Sequence, residues 1–517
     1  MEQINRFDHF QTLHVENSIS PVALTGIVCT IGPTSRSPDV LEHMMEAGMS
    51  IARIVLEEES YEYHKQTIKN IRDAKESYSR KINREYSLAI GVDTRGPEIR
   101  IGSVDRSGAA SIQLKRGEYM RLTTDIEYLE KGNNKIVYIN YDNITKYLSR
   151  GDHIYLDNGQ ISLICVGITS VYLNCVIEVG GILHRFANVR IPGVVLNFPN
   201  VTDQDRQDLD FVIEQEIDIV FMSYVRNAFG PIEIRHILGK KKEKIVLISK
   251  IETMEGVKNI KEIVNASDGI MIMRDLLGLE IPAEKIFIIQ KFIGASCTIA
   301  GKPVICATQV LQSLMDRNKP SRSEIADVGN AIVDGMDCVL LTDETAIGDD
   351  PVRYISQMKV ICKEVEAVVW QKELSLTVRS KVNAPTDIQT GVAMSAVEAV
   401  EKCEASAIIV LAMNRNIVTL ISHFRPRCPI IAITRNPDII PIILLYRSVI
   451  PLYFTEMEDV DWVTDVDIML NYGVKFGLSQ KFIQENDMIV AVSNWKKGFD
   501  YTSIVRYINV NDIMELV

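Results

Sequence analysis

Ile245-Val246-Leu247-Ile248-Ser249-Lys250-Ile251-Glu252 opens with four apolar residues, three of them β-branched, as strands buried on both faces of a parallel sheet do. Lys250 and Glu252 then stand two apart, so an extended chain points an ammonium and a carboxylate the same way from the strand's C-terminal end. A cation beside a metal-binding carboxylate suits the handling of phosphate or enolate charge. From these residues alone, a buried Lys–Glu ion pair without chemistry is an equally good reading.

Working outward, similar apolar runs fall at 26–31, 50–55, 88–93, 217–223, 269–274, 303–308 and 337–342. The segments between most of them hold one helix each, such as 38–47, 60–77, 202–214, 283–300 and 322–334. Eight strand-then-helix units predict an α/β chain built on a (β/α)8 (TIM) barrel, with its site on the strands' C-terminal ends. One gap is too long for a single helix. Its middle, 99–188, alternates in short runs punctuated by Gly117, Gly132-Asn133-Asn134, Asp157-Asn158-Gly159 and Gly180-Gly181. This predicts a β-domain inserted after the third strand, placed to cover the barrel mouth and exclude water. The barrel is expected over 25–96 and 198–372, the lid over 97–197, and a tail over 1–24. The polar stretch 375–385 reads as a linker to a C-terminal α/β domain at 385–517.

Composition narrows the function classes. A chain of 517 residues with 46% hydrophobic and 24% charged residues reads as two to four soluble globular domains. A net charge of −12 argues against wrapping nucleic acid, and no apolar run is long enough to span a membrane. The first twenty-four residues are polar, include Asp8 and Glu16, and do not read as a secretory signal. Nine cysteines without a C-x-x-C pair read as reduced structural thiols in a cytoplasmic protein.

The predicted strand ends carry Arg53, Asp93-Thr94-Arg95, Lys250, Glu252, Arg274-Asp275, Thr308 and Glu344. Cations, carboxylates and a hydroxyl on one rim, with no Ser/His/Asp or Cys/His set, favour electrostatic catalysis on an anionic substrate. Around these residues lie Thr25-Gly-Ile-Val-Cys-Thr-Ile-Gly-Pro33, Asp93-Thr-Arg-Gly-Pro-Glu-Ile-Arg100 and Ile248-Ser-Lys-Ile-Glu-Thr-Met-Glu-Gly256. With Ala266-Ser-Asp-Gly-Ile-Met271, Gly301-Lys-Pro-Val-Ile-Cys-Ala-Thr-Gln309 and Tyr446-Arg447, they resemble pyruvate kinases from about Thr25 to the C-terminus.

The resemblance implies phosphoryl transfer from phosphoenolpyruvate to ADP, giving pyruvate and ATP. It further implies Mg2+ (or Mn2+), K+, a cytoplasmic location, and a homotetramer or a hetero-oligomer with a relative. Carried over by residue, Lys250 would stabilise the phosphoryl group and the enolate, Arg53 the phosphate, and Thr308 the carboxylate or proton relay. Glu252 would bind the divalent ion, Asp93 and Thr94 the K+, and Arg100 and Asp157 the nucleotide side. Asp275 would lie against substrate.

This chain also departs from the family. Where the family reads Arg-Gly-Asp-Leu-Gly, Arg274-Asp275-Leu276-Leu277-Gly278 stands, so Leu276 offers no oxygen to a metal. Where it reads Arg-x-Asn-x-Ser-His, Arg53-Ile54-Val55-Leu56-Glu57-Glu58 stands, removing two K+ ligands and adding acids near nucleotide phosphates. Phe186-Ala187 replaces paired lysines, and Ile347 another lysine. The loop Ala412–Ile417 is poor in hydroxyls, which argues against activation by a sugar bisphosphate. The expectation is a pyruvate kinase-like phosphotransferase of impaired turnover. The alternative is a non-catalytic relative acting as subunit, scaffold or phosphoenolpyruvate binder, and a weaker third is a barrel enzyme of other enolate chemistry.

Overall fold

The computed structural model describes residues 6–16, 19–57, 59–104, 111–194, 197–241, 244–317, 319–455, 461–496 and 502–514. Eight parallel strands close a barrel: β1 (Gly26–Thr30), β2 (Ile51–Val55), β3 (Ala89–Asp93), β4 (Ile219–Met222), β5 (Val246–Ile251), β6 (Gly269–Met273), β7 (Val304–Ala307) and β8 (Cys338–Leu341). β8 pairs with β1 at Gly26↔Cys338, which shuts the ring.

Period-two alternation explains why these strands read as continuous apolar runs. Val28, Ile51, Ala89, Phe221, Ile248, Met271 and Ile305 fill the barrel interior in one cluster. Their neighbours Ile27, Ala52, Ile90, Val220, Leu247, Ile270 and Val304 pack outward under the helices in another. The interior is tight. A Cβ on Gly91 would come 2.3 Å from the Phe221 ring, so only glycine fits beside that side chain.

Between β3 and β4 the chain builds a seven-stranded sheet in the order Ile99–Arg100, Asn188–Arg190, His153–Leu156, Ile161–Ile168, Tyr172–Val179, Tyr119–Thr123, Ile136–Tyr138. Its core holds Leu122, Ile154, Leu163, Leu173 and Ile177. Because the strand Asn188–Arg190 pairs with Ile99–Arg100, the lid's entry and exit lie side by side at the barrel mouth.

At the barrel's other end sits an α/β domain with sheet order β11-β10-β9-β12-β13: β9 (Ala407–Leu411), β10 (Ile430–Thr434), β11 (Val449–Tyr453), β12 (Met488–Ser493) and β13 (Ile504–Asn509). Asp337, just before β8, anchors it. Asp337 accepts from Arg425 at 2.6 Å and from the Arg447 backbone at 3.2 Å, all buried.

One expectation needs correction. The first residues of the stretch read as a linker, 375–379, belong to a helix, Gln371–Arg379, and the rest is not helical. Its polar composition hides an inward face: Ser375 and Val378 are buried, Leu374 packs on the C-terminal core, and Arg379 pairs with Glu401 at 2.9 Å and with Glu398. Among the described residues, no helix is long and apolar enough to cross a membrane.

Candidate active site

β2 and β3 are adjacent, which brings Arg53 against Asp93. Arg53 donates from Nε and Nη2 to the two Asp93 oxygens at 2.7 and 2.6 Å, and from Nη1 to Thr30 Oγ1 at 2.9 Å. From β5, Lys250 Nζ reaches Asp93 Oδ2 at 2.8 Å, Ser223 Oγ at 2.9 Å and Glu252 Oε1 at 3.2 Å. Arg53, Asp93, Lys250 and Glu252 are all buried, and each is held in an ion pair, as buried charges require. Burial alone would favour a neutral Lys250, but Asp93 and Glu252 outweigh it and raise the ammonium above its ordinary range. Burial opposes the Asp93 charge too, yet Arg53 and Lys250 hold that carboxyl below its usual value. The result is a fixed, charged cluster on the barrel floor.

Above it opens a cavity of about 340 Å³ lined by Arg53, Lys250, Glu252, Asp275, Thr308 and Arg190, among others. A larger one, about 580 Å³, lies at the strands' N-terminal ends, away from this chemistry.

Thr308 closes one side in a left-handed conformation, φ 68°, and Gln309 follows at φ 53°. Such backbone persists only where surroundings hold it. Arg274 does this: Nη2 donates to the Thr308 carbonyl at 2.8 Å and the Gln309 carbonyl at 3.3 Å, and Nη1 to Asp327 at 2.5 Å. Arg274 thus braces the site rather than facing it. Thr308 Oγ1 in turn accepts from the Asp275 backbone at 3.1 Å. Glu344, also on the expected rim, caps its own turn through Thr342 N at 2.7 Å and does not line the cavity.

Glu252 and its neighbours do not make the seat a divalent ion requires. Oε2 receives Arg190 at 3.3 Å, while Oε1 faces Lys250 without hydrogen-bond alignment. Leu276 lines the cavity and packs on apolar neighbours. Asp275 opens the helix Arg274–Glu280, and its Oδ1 accepts from Leu276 N at 2.7 Å. Burial pushes the Asp275 carboxyl up. Among the described residues, no three His, Cys, Asp or Glu side chains gather as a metal cluster. Of the residues expected to hold K+, Asp93 has both oxygens engaged and Thr94 Oγ1 accepts from Ser223 N at 3.2 Å, while Val55 beside them is apolar.

On the lid side, Arg100 is held by Glu98 at 2.7 Å and by Glu57, and donates to the Phe186 carbonyl at 2.9 Å. Glu58 lies outside the described residues. Asp157 is paired with His184 at 2.8 Å within the lid, and its neighbour Asn158 faces the cavity. Ala187 is buried in the lid core, so that position presents no polar group, while Ile347 lines the cavity.

Arg190, Ser223, Glu98 and His64 also line the site and were not singled out from the sequence. Ser223 follows β4 directly, where strand-end inspection could have found it. Arg190 sits on a lid strand, and nothing local marks it.

The sequence profile "Pyruvate kinase, barrel domain" matches residues 22–355, and "Pyruvate kinase, alpha/beta domain" matches 390–506. The chain belongs to the pyruvate kinase family. It is 39% identical over 504 residues to "Pyruvate kinase PKLR" of Rattus norvegicus, covering 98% of this chain and 88% of that protein. "Pyruvate kinase 1" of Saccharomyces cerevisiae is 35% identical over 504 residues, 97% of this chain and 99% of the relative. "Pyruvate kinase" of Candida albicans is 36% identical over 485 residues, 94% and 95% of the two chains.

Proposed function

We propose that this chain is a pyruvate kinase-like phosphotransferase, moving the phosphoryl group of phosphoenolpyruvate to ADP with strongly reduced turnover. The observation that carries this reading is the buried Arg53–Asp93–Lys250 cluster at the cavity floor, beside Leu276 where a second metal carboxylate belongs.

Under this reading the phosphate of phosphoenolpyruvate lies against Arg53 and the Lys250 ammonium. The bond from phosphorus to the enol oxygen breaks as one to an oxygen of the ADP β-phosphate forms. Lys250 stabilises the negative charge left on the enolate oxygen. The enolate carbon then takes a proton by way of Thr308, completing pyruvate. Water is kept out by the lid.

Losing one electrostatic contact to a transition state costs roughly 10²–10³ in rate. Turnover is therefore expected below about 1 per second, where kinases commonly run at about 1–100. The test is phosphoenolpyruvate-dependent ATP formation by purified protein with Mg2+ or Mn2+, with and without K+. Ordinary, K+-stimulated turnover overturns the reading.

The Glu57–Arg100 pair favours a second reading, a non-catalytic relative that still binds phosphoenolpyruvate. Binding without any ATP formation is its signature. A cytoplasmic location and assembly as a homotetramer, or with a relative, belong to the same proposal. Ile288, Phe292 and Ile299, four and seven apart on the helix Ile286–Ala300, form an exposed apolar stripe that suits a second copy. Sedimentation of the purified chain checks it.

A further inference from the structure

We propose that the Arg190 guanidinium is the resident cation of this mouth, standing at Glu252 in place of a divalent ion, so that the site binds a phosphoanion without metal. The inference rests on the reading that phosphoenolpyruvate docks here, and it names what supplies the missing charge.

Three observations carry it. Arg190 Nη2 lies 3.3 Å from Glu252 Oε2 and 3.7 Å from Glu98 Oε1, so it sits on the carboxylate a metal would need. Its side chain is only 10% exposed and is fixed from several directions. The strand Asn188–Arg190 registers Arg190 against Tyr155, and the guanidinium carbon lies 5.1 Å from the Tyr224 ring centre, within cation–π range. Finally, the surroundings no longer compete for a metal. Leu276 has no oxygen, and Asp275 Oδ1 is taken by the Leu276 N–H. A divalent ion would need oxygens at about 2.1 Å in near-octahedral array, in the space the guanidinium occupies.

The charge balance agrees. Arg53, Lys250 and Arg190 face Asp93 and Glu252, three cations against two carboxylates. Glu98 also approaches Arg190 but is itself held by Arg100 at 2.7 Å, while Glu57, Glu59, Asp275 and Asp343 complete the acids of the lining. A phosphoanion placed against Arg53, Lys250 and Arg190 therefore meets one cation more than the carboxylates that pair with them. The guanidinium carries five N–H donors in a planar fork, suited to phosphate oxygens. It carries one charge rather than two and has no ligand positions to join substrate and nucleotide phosphates. That difference accounts for anion binding surviving where turnover falls.

The experiment is calorimetric titration of the full chain with phosphoenolpyruvate, in EDTA and again in excess Mg2+. The same titrations are run on Arg190→Gln and Arg190→Lys, with thermal unfolding of each to verify folding. The expected result is that the unmodified chain binds with affinities agreeing within about twofold in the two buffers. Arg190→Gln then loses about 10–100-fold in EDTA, the scale of one charge-assisted hydrogen bond, and Arg190→Lys recovers part of it. Mn2+ should bind Arg190→Gln more tightly than the unmodified chain, read as loss of the hydrated-ion resonance signal without substrate or turnover. Binding by the unmodified chain only with Mg2+, or an Arg190→Gln affinity unchanged in EDTA, overturns the inference while leaving the proposed substrate in place. Binding in neither buffer removes the substrate reading and this inference with it. Should Arg190→Gln not fold, the EDTA and Mg2+ titrations of the unmodified chain decide alone.

Discussion

Glu57, after β2, is ion-paired to Arg100 on the lid's first strand, and Glu98 holds the same guanidinium at 2.7 Å. The cation expected to steady nucleotide phosphates is thus shared by two carboxylates of the chain itself. ADP should bind more weakly than micromolar, measured by calorimetry. Replacing Glu57 with Ser frees part of the guanidinium and should tighten ADP binding roughly fivefold, since a partly exposed pair is worth about 1 kcal/mol. Micromolar affinity in the unmodified chain would contradict this account.

Asp275 and Leu276 open the helix after β6, at the position to which the family resemblance assigns a metal carboxylate. The double change Asp275→Gly with Leu276→Asp restores an oxygen and removes the acid one residue early. Turnover should rise by about 10-fold or more, within the range that one electrostatic contact supplies. Mn2+ affinity should rise with it. No gain in either quantity would mean that the weakness lies elsewhere.

Arg274 holds the carbonyls of Thr308 and Gln309, two consecutive left-handed residues. Arg274→Gln should release this loop and leave Asp327 without its partner. The expected loss is about 1–3 kcal/mol in stability from the strained backbone, read by denaturant unfolding. KM for phosphoenolpyruvate should rise as Thr308 loses its position. An unchanged KM with lowered stability would confine Arg274 to a purely structural role.

His64 lines the same cavity, is buried, and its Nε2 has no hydrogen-bond partner. Burial, then the Arg95 and Arg36 charges, lower its pKa to about 4. In the unfolded chain it titrates near 6.5, so the unfolded state takes up the proton first as pH falls. Its contribution to stability is complete above about pH 6.5 and is lost as pH drops toward 4. Asp218, raised to about 6 by burial, acts in the opposite sense over much of that window. The comparison must therefore be between variants: His64→Gln should lose less melting temperature than the unmodified chain between pH 7 and 5. Parallel curves would show that His64 titrates normally.

The barrel was readable because its strands are covered on both faces, leaving unbroken runs such as Ile245–Ile248 that no solvated strand would show. Lys250 and Glu252 were readable for a related reason, since two-residue spacing at a strand end decides direction without tertiary knowledge. Arg190 was not. It reaches Glu252 across 62 positions of sequence, on a lid strand whose docking no local pattern encodes. Arg274 was found but its direction was not, because its partner Asp327 lies 53 residues away. The helix Gln371–Arg379 was concealed by polar residues that turn out to pair or pack, as Arg379 and Ser375 do.

Arg190 belongs to the lid and Glu252 to the barrel wall, so their contact is a latch across the entrance. Swinging the lid away separates opposite charges that share little solvent, and this raises the barrier for entry and departure alike. Such a fastening slows both rate constants together and leaves their ratio untouched. Residence time is thus a second property, beside the affinity lent by the Arg190 charge, by which this mouth would differ from an unlatched one.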